Sequence, residues 1–472
     1  MHFKKTNREA YTNFLRAKYE AYTGATTVRS YPYYLLIDPA DICQLRCPTC
    51  PTGQDNENRR AKSTAAPHRG SRAVMGPELF NQLIEEVGPY LFHLMLYNWG
   101  EPLLNPLIAE FIKKAHAYNI ETAMHTNLSL KLSEQRIDEL LSSGLDNLTA
   151  SIDGFSQEVY QIHRVAGNMD LIKKNLEALV SARDRLGLKT QIVYKMLVFG
   201  HNEHEIPAAR EYCKEIGVGF AHEDGAVPDP SWMTKARLKT LPKGLGFREG
   251  EQDKNILAST IEPPPPEEPI DLAVEQARLD VLFPPERKGK GKDPSFCSWH
   301  YGYSVVTAGG PVAPCCATGD ESADFGRVSP GVNSFADVWN NDRFRHARGA
   351  LAGADLSETA DIKTICEPCR FPRFVQQLYS IHDPRVIAKF HSQFNQKEPA
   401  MEEGFRLLTQ SRYGFLARRK LRRGKFDAGI IRGGIGNEQN MSEFVKFYEQ
   451  HLADEPAAQD PSSNSHDRNL AV

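Results

Sequence analysis

The stretch Cys43-Gln44-Leu45-Arg46-Cys47-Pro48-Thr49-Cys50 is the feature from which the rest of the chain is interpreted. Its C-x-x-x-C-x-x-C spacing lets three thiolates of one short loop converge on one metal centre. Three ligands are one fewer than the four that close an ordinary structural zinc or iron–sulfur site. A four-iron cluster held by three cysteines therefore keeps one iron open for a non-protein ligand. The alternatives are three buried structural cysteines, or a zinc site completed from elsewhere in the chain.

The composition is that of a globular protein. The chain has 472 residues, 40% hydrophobic and 25% charged, with a net charge of −3, so it is long enough for two to four domains and no nucleic-acid partner is expected. No apolar run approaches the ~18–20 residues of a membrane span, and residues 1–25 contain no apolar signal core. We therefore expect a cytoplasmic protein, whose nine cysteines serve metal or redox chemistry rather than disulfides.

Apolar patterning predicts that strands and helices alternate along residues 31–226. The rhythm is typical of parallel βαβ units, and six of them would form a partial (β/α)6 TIM-like barrel of the α/β class. In such barrels the chemistry lies at the carboxyl ends of the strands. Predicted strands cover 33–37, 92–97, 121–126, 148–152, 191–198 and 219–221. Predicted helices cover 79–91, 107–112, 133–143, 171–180 and 206–216, with Ser133 as an N-cap.

The remaining segments differ from the barrel in composition. Residues 1–30 are a polar lead-in with room for one helix, and the polar stretch 54–74 is predicted to be a loop. The linker 227–294 is rich in Pro and Lys. A second cysteine region at 295–372 precedes a helical, basic extension at 373–452 and a disordered tail at 453–472. The basic stretch 412–426 is either a solvated helix face or a contact for a phosphate-bearing substrate or an anionic membrane surface.

The cluster loop, followed by Gly100-Glu101-Pro102 after the second predicted strand, resembles the radical S-adenosylmethionine (SAM) superfamily. In that superfamily, SAM chelates the open iron through its amino and carboxylate groups. The resemblance implies that Cys43, Cys47 and Cys50 ligate a SAM-binding [4Fe-4S] cluster. It also implies that Gly100, Glu101 and Pro102 hold the amino group of SAM, as a carboxylate suits an ammonium. The family motif is Gly-Gly-Glu-Pro, and Trp99 replaces its first Gly.

Three later motifs extend the resemblance. Thr126-Asn127 resembles a strand-end Thr-Asn-Gly element, and Ser151-Ile152-Asp153-Gly154 resembles the fourth-strand motif that faces the SAM carboxylate and ribose. Arg164 resembles the arginine that pairs with that carboxylate in bidentate geometry. Met196 is either an adenine neighbour or a core residue. The family usually has an aromatic residue before the third cysteine, where this chain has Thr49. The implied SAM contacts are thus Gly100, Glu101, Pro102, Asn127, Ser151, Asp153, Arg164 and Met196.

The second cysteine region resembles the SPASM/twitch extensions of radical SAM enzymes. A cysteine, a Gly-x-x-x-x-Cys hairpin at 310–315 and a distal cysteine pair follow one another in that order. The resemblance implies one auxiliary [4Fe-4S] cluster with four ligands, Cys297, Cys315, Cys366 and Cys369; a four-cysteine zinc site fits the same spacing. Cys213 is expected in the core, whereas Cys316 is a spare ligand, a catalytic hydrogen-atom donor or neither.

The resemblance implies the first half of a reaction. An electron from a flavodoxin- or ferredoxin-type donor cleaves SAM to methionine and a 5′-deoxyadenosyl radical, which takes a hydrogen atom from a small-molecule substrate. We expect oxidation or epimerisation of a small hydroxylated metabolite, such as a sugar or cyclitol. One alternative is a maturase of a ribosomally made peptide, although some thirty residues before the barrel are too few for a leader-binding domain. The other is a non-catalytic cysteine-rich metal-binding interaction protein.

Overall fold

The computed structural model of the protein describes residues 8–65, 67–68, 72–225, 230–234, 297, 299–352, 354–366, 446 and 449–450. The basic stretch 412–426, the tail and nearly all of the linker and extension lie outside these residues. The strands are β1 (Tyr34–Ile37), β2 (His93–Leu96), β3 (Glu121–Thr126), β4 (Asn147–Ser151), β5 (Gln191–Val198), β6 (Gly219–Asp224), β7 (Tyr303–Val306), β8 (Pro311–Ala313) and β9 (Gly326–Arg327).

The α-helices are α1 (Arg8–Thr23), α2 (Pro51–Arg60), α3 (Pro77–Val87), α4 (Ile108–Ala117), α5 (Glu134–Ser142), α6 (Gln157–His163), α7 (Met169–Arg185), α8 (Ile206–Ile216), α9 (Trp299–Gly302), α10 (Phe335–Trp339) and α11 (Asp342–Ala352). Short 3-10 helices cover Pro102–Leu104, Glu203–Glu205, Pro230–Trp232, Glu321–Ala323 and Ser357–Thr359. No helix in this part of the chain is long and apolar enough to cross a membrane.

One mixed sheet organises the described residues. Its strand order is β6-β5-β4-β3-β2-β1-β7-β8-β9. Strands β1 to β6 are parallel and alternate with helices, which confirms the predicted α/β fold with six parallel strands. The sequence did not predict that β7 would pair in parallel with β1, so that Ile37 lies opposite Val306. The second cysteine region therefore extends the barrel sheet, and its β7–β8 hairpin is antiparallel.

The parallel strands present alternate side chains to two faces. On β4 and β5, Leu148, Tyr194 and Met196 are fully buried in the core beneath the helices. Their neighbours Ser151 and Lys195 are only partly buried on the inner face of the barrel. Each fully buried aliphatic side chain contributes about 1.5–3 kcal/mol to folding, so this alternation fixes which residues face the site.

An aromatic cluster covers part of the inner face. Phe14 of α1 packs edge-on against Tyr33, with ring centroids 5.2 Å apart, and against Phe92 at 6.1 Å. Tyr303 of β7 stacks on Tyr34 of β1 at 4.8 Å. Beyond this cluster, half-buried or exposed polar residues share the inner face with the apolar side chains of Val193, Leu197 and Ala221. We call this surface the open inner face, and it comprises Tyr97, His125, Thr149, Ser151, Lys195 and Glu223.

Local sequence patterns predicted most of the helices and strands, but one of these predictions was wrong. Ser133 caps α5 as expected, because its side chain accepts a hydrogen bond from the Arg136 amide. The stretch 54–74, predicted to be a loop, begins inside α2. This helix is polar on almost every side and shows no apolar periodicity. It is held instead by the cysteine loop, since Asn56 Nδ2 donates to the carbonyls of Cys43 and Leu45, each at 2.8 Å.

Candidate active site

The three cysteines of the first motif lie in one loop at the carboxyl end of β1. The Leu45 amide donates to Cys43 Sγ at 3.4 Å, and the Cys50 amide donates to the Cys47 carbonyl at 3.2 Å. Burial raises the pKa of the Cys47 thiol to about 11; Arg164 opposes this rise and Cys50 adds to it. Burial, with the charge of Glu101, raises the pKa of Cys43 well above its ordinary value. The three thiols therefore influence one another electrostatically.

The chemistry of these donors fits an iron–sulfur cluster. Three neighbouring thiolates that are buried or half-buried are unfavourable together unless positive metal ions offset their charge, and a coordinated thiol is deprotonated outright. Among the described residues, no three His, Cys, Asp or Glu side chains surround one point closely enough for a single ion. A four-iron cluster does not require its thiolate ligands to meet at one ion, because each thiolate binds a different iron. The eight cysteines in this part of the chain are free thiols.

Helix α2 packs directly on the cysteine loop. Cys50 is its N-cap and Pro51 its first residue. Burial raises the pKa of the Cys50 thiol, and the nearby backbone amides of Gly53 and Thr52 lower it, which favours the thiolate. A Cβ atom at Gly53 would collide with the backbone of Cys47, which has its nitrogen 2.5 Å from that position. Only glycine permits this approach, so α2 and the cysteine loop form one unit.

Glu101 lies fully buried beside the loop. Its Oε1 accepts hydrogen bonds from Thr126 Oγ1 at 2.7 Å and from the Leu103 amide at 3.0 Å, and its Oε2 accepts from the Asn127 amide at 2.7 Å. Burial raises the pKa of this carboxyl, and the three hydrogen bonds oppose the rise. Glu101 thereby joins its own turn to the end of β3. Pro102, buried, starts the short helix that follows.

Gly100 is required by a different close contact. A side chain there would collide with the Ala40 carbonyl. The backbone amides of Trp99 and Gly100 donate to Asp38 Oδ1 at 3.0 and 3.4 Å. The Gly100-Glu101-Pro102 motif is therefore held against the residues that follow β1, and this contact fixes its position relative to the cysteines.

Asn127 connects β3 to the cysteine loop. Its Nδ2 donates to Cys43 Sγ at 3.5 Å, and its Oδ1 accepts from Gln44 Nε2 at 2.7 Å. A hydrogen bond to a ligating sulfur stabilises its thiolate form. The sequence motif predicted a role for Asn127 but gave no signal for Gln44.

A buried relay joins the fourth-strand motif to the cysteine loop. Asp153 Oδ2 bonds Arg164 Nε at 2.6 Å and His163 Nδ1 at 2.7 Å, and His163 Nε2 lies 2.7 Å from Thr49 Oγ1. Although burial opposes it, Arg164 and His163 hold the pKa of Asp153 well below its usual range. Arg164 also hydrogen-bonds the Cys47 thiol. Predicted SAM contacts Asp153 and Arg164 thus lie together at the cluster loop.

Sequence reasoning missed His163, although it noted Thr49 as a departure from the family. The Thr49 hydroxyl pairs with His163. The residue that departs from the family motif and the missed histidine are therefore partners in one hydrogen-bond network. Ser151 lies at the inner-face end of β4, whereas Met196 lies in the core on the helix side of β5. The placement of Met196 supports the packing alternative rather than contact with adenine.

The second cysteine group is only partly brought together in the described residues. Cys297, Cys315 and Cys316 pack against the inner-face aromatic cluster. Cys366 lies in the main core, with its Sγ 3.3 Å from His300 Nε2. Cys369 lies outside the described residues. Cys213 is buried in the core as expected.

Two family models match the chain and define its class. The radical SAM superfamily matches residues 37–213, and the SPASM iron–sulfur cluster-binding domain matches residues 297–370. Residues 37–213 thus have the signature of the radical SAM superfamily and residues 297–370 that of the SPASM domain. These two regions imply SAM, a SAM-binding [4Fe-4S] cluster and auxiliary iron–sulfur clusters as cofactors.

Individual proteins resemble only parts of the chain. A probable GTP 3′,8-cyclase of Methanococcus maripaludis is 30% identical over 118 residues, which is 25% of this chain and 38% of that protein. The structure of SuiB from Streptococcus suis bound to S-adenosylmethionine has a TM-score of 0.45 and 13% identity, covering 74% of this chain and 75% of that one. BtrN in complex with AdoMet and 2-DOIA has a TM-score of 0.37 and 16% identity, covering 72% and 94%. The chain thus spans less than half the length of the curated relative.

Replacing Gly53 by Ala tests the packing of α2 on the cysteine loop. We expect reconstituted Gly53→Ala to lose about four irons per chain, the content of one cluster, because the new Cβ forces the helix away from Cys47. Iron and sulfide analysis measures this loss. Gly76→Ala is the matched control, since it is also a glycine at a helix N-terminus but meets only the flexible end of Glu78. Full iron content and normal SAM cleavage in Gly53→Ala would contradict the role of this contact.

Proposed function

We propose that the protein oxidises a small hydroxylated metabolite, of the sugar or cyclitol type, after radical abstraction of a hydrogen atom from carbon. The strongest support is the composition of the open inner face. This surface includes the predicted SAM contact Ser151, the last residue of β4. Ser151 lies opposite Lys195 in the sheet. A substrate on this surface would therefore lie beside the predicted SAM site.

The open inner face combines a flat ring pair with hydrogen-bonding groups. The rings of Tyr97 and His125 stack with centroids 3.6 Å apart and an interplanar angle of 2°. Lys195 Nζ pairs with Glu223 Oε1 at 2.5 Å, and the two side chains are 25% and 53% exposed. A ring packs well on aromatic faces, while hydroxyl groups bond ammonium and carboxylate groups.

The charges of this surface suit an uncharged substrate. Burial, together with the charges of Lys195 and His93, lowers the pKa of His125 to about 3, so the imidazole is neutral at physiological pH. The positive Lys195 is offset by Glu223. A nucleoside triphosphate, the substrate class in the name of the curated relative, would instead require several unpaired cations. The described residues of the open inner face do not provide them.

The side chains divide into two groups by role. Cys43, Cys47 and Cys50 would hold the SAM-binding cluster. Glu101, Asn127, Ser151, Asp153 and Arg164 would hold or orient SAM. When bound, SAM and the clusters supply the hydrogen-abstracting radical and an acceptor for the electron that oxidation releases. Lys195 and Glu223 would bind substrate hydroxyls, and the neutral His125 would accept a hydrogen bond from one of them. The partly exposed Glu223 carboxylate would pass the released hydroxyl proton to solvent as the carbonyl forms.

Metabolite profiling tests the proposed reaction. Reconstituted protein, SAM, a reductant and the small-molecule fraction of a cell extract are incubated without oxygen. We expect 5′-deoxyadenosine together with a hydroxylated metabolite that has lost two hydrogens. A modified peptide, or a cyclised nucleotide, as the substrate-dependent product would contradict the proposal.

Replacing Lys195 by Met tests the substrate surface once that metabolite is known. Loss of a charged hydrogen bond costs about 1.5–3 kcal/mol, so we expect kcat/KM to fall about 10- to 100-fold, with SAM affinity unchanged. Lys214→Met, which removes a lysine from another ion pair on an exposed helix surface, is the matched control. Equal kcat/KM values for the two variants would remove Lys195 from the substrate site.

Epimerisation is a second candidate because Cys316 packs against the inner-face aromatic cluster, on the side of the sheet where substrate would lie. In heavy water, an epimerase product would gain one deuterium at the inverted carbon, and Cys316→Ala would abolish this gain while 5′-deoxyadenosine still forms. We expect instead a product without deuterium at the oxidised carbon, formed equally by Cys316→Ala. Mass spectrometry and NMR of the product distinguish the two outcomes.

A further inference from the structure

Trp99 stands where the family motif has its first Gly, and its two ends contact different cysteine regions. Its amide donates to Asp38 Oδ1 at 3.0 Å, and its carbonyl oxygen lies 3.8 Å from Cys50 Sγ. Its indole Nε1 donates to the Thr318 carbonyl at 3.0 Å. The backbone of Trp99 therefore contacts residues of the first cysteine region, and its indole contacts the second cysteine region.

The turn that receives this hydrogen bond surrounds Cys315. Thr318 is buried, its amide donates to the Cys315 carbonyl at 3.3 Å, and its Oγ1 lies 3.6 Å from Cys315 Sγ. Burial raises the pKa of the Cys315 thiol, and hydrogen bonding by Thr318 and by the backbone of Ala317 lowers it. We call residues 315–318 the auxiliary turn. Donors aimed at a ligating sulfur stabilise its negative charge and so help to set the potential of a cluster.

A second contact brings the same two regions together. A Cβ at Gly319, directly after the auxiliary turn, would lie 2.5 Å from Cγ of Pro51, the residue after Cys50. The auxiliary turn and the first cysteine loop therefore pack with almost no space between them. Trp99 lies at this junction, and its indole contributes a directional hydrogen bond there.

We propose that Trp99 is a positioning residue that fixes the auxiliary turn against the SAM-cluster loop and thereby sets the reduction potential of the auxiliary cluster. The proposal rests on the proposed role of Cys315 as an auxiliary-cluster ligand. Removing the indole N–H takes one hydrogen-bond donor from the buried Thr318 carbonyl and releases the turn from Trp99. Movement would weaken the contact of the Thr318 hydroxyl with the Cys315 sulfur. Because the reduced cluster carries more negative charge, weaker donation should lower its potential.

Three variants separate this role from general stability. Trp99→Phe removes the N–H and keeps an aromatic ring, and Trp99→Gly restores the residue of the family motif. In both, the backbone contacts with Asp38 and Cys50 can persist. Trp339→Phe is the matched control, because the Trp339 indole donates to the buried Ser30 carbonyl at 2.9 Å, a bond of the same kind at another place.

The measurement is made in the full chain with Cys43, Cys47 and Cys50 replaced by Ala, so that any remaining cluster is the auxiliary one. In an EPR-monitored redox titration, we expect Trp99→Phe to shift the ratio of reduced to oxidised cluster about tenfold towards the oxidised form, equivalent to about 59 mV for one electron. Trp339→Phe should give no shift.

The outcomes are distinguishable. If the triple-cysteine protein binds no iron–sulfur cluster, the assignment of the auxiliary site is wrong. If it binds a cluster with a potential that is the same in the Trp99→Phe variant, the positioning role of Trp99 is wrong. Should Trp99→Gly fail to fold, Trp99→Phe decides alone. An equal shift in Trp339→Phe would assign the effect to lost stability and would also overturn the proposal.

Discussion

The mutual burial of three thiols is the constraint on which the rest of the site depends. As thiolates, Cys43, Cys47 and Cys50 repel one another in a medium that poorly solvates charge. Positively charged iron reverses that balance, and the neighbouring residues favour the same ionised form. The Thr52 and Gly53 amides lower the pKa of Cys50, the Asn127 side chain donates to Cys43 Sγ, and Arg164 lowers the pKa of Cys47. The loop is thus arranged for a ligand that brings positive charge.

Sequence patterns revealed those parts of the structure that have local causes. The strands 121–126 and 191–198 end at the predicted residues, because buried side chains alternate along them. Helix α2 could not be found in this way, since a contact with Cys47 rather than an apolar face holds it. The Thr49–His163 bond was also invisible, because it joins residues 114 positions apart. Met196 was ambiguous until its neighbours fixed which face it occupies. Contacts between distant segments account for each of these gaps.

The two sides of the site differ in how strongly they are constrained. On the SAM side, Glu101 and Asp153 are buried, and both oxygens of each carboxylate accept hydrogen bonds. Substitution there leaves buried donors without partners, which is costly. On the open inner face, Lys195 and Glu223 remain partly solvated, so a change costs little in folding. The buried carboxylates of the predicted SAM site are therefore costly to change, whereas the proposed substrate residues can be substituted with little loss of folding stability.

Strand β7 connects the two cysteine regions through backbone hydrogen bonds to β1. It pairs with β1 in parallel, and the Asp38 amide extends the ladder by donating to the Val306 carbonyl at 3.0 Å. Asp41 Oδ1 accepts from the Ala308 amide at 3.0 Å just beyond. The strand that delivers Cys43 is therefore bonded, residue by residue, to the strand that leads into the Cys315 hairpin. A slip of one residue would move each side chain to the opposite face. Sheet register therefore sets the overall spacing of the two regions, and the role proposed for Trp99 is confined to the local position of the auxiliary turn.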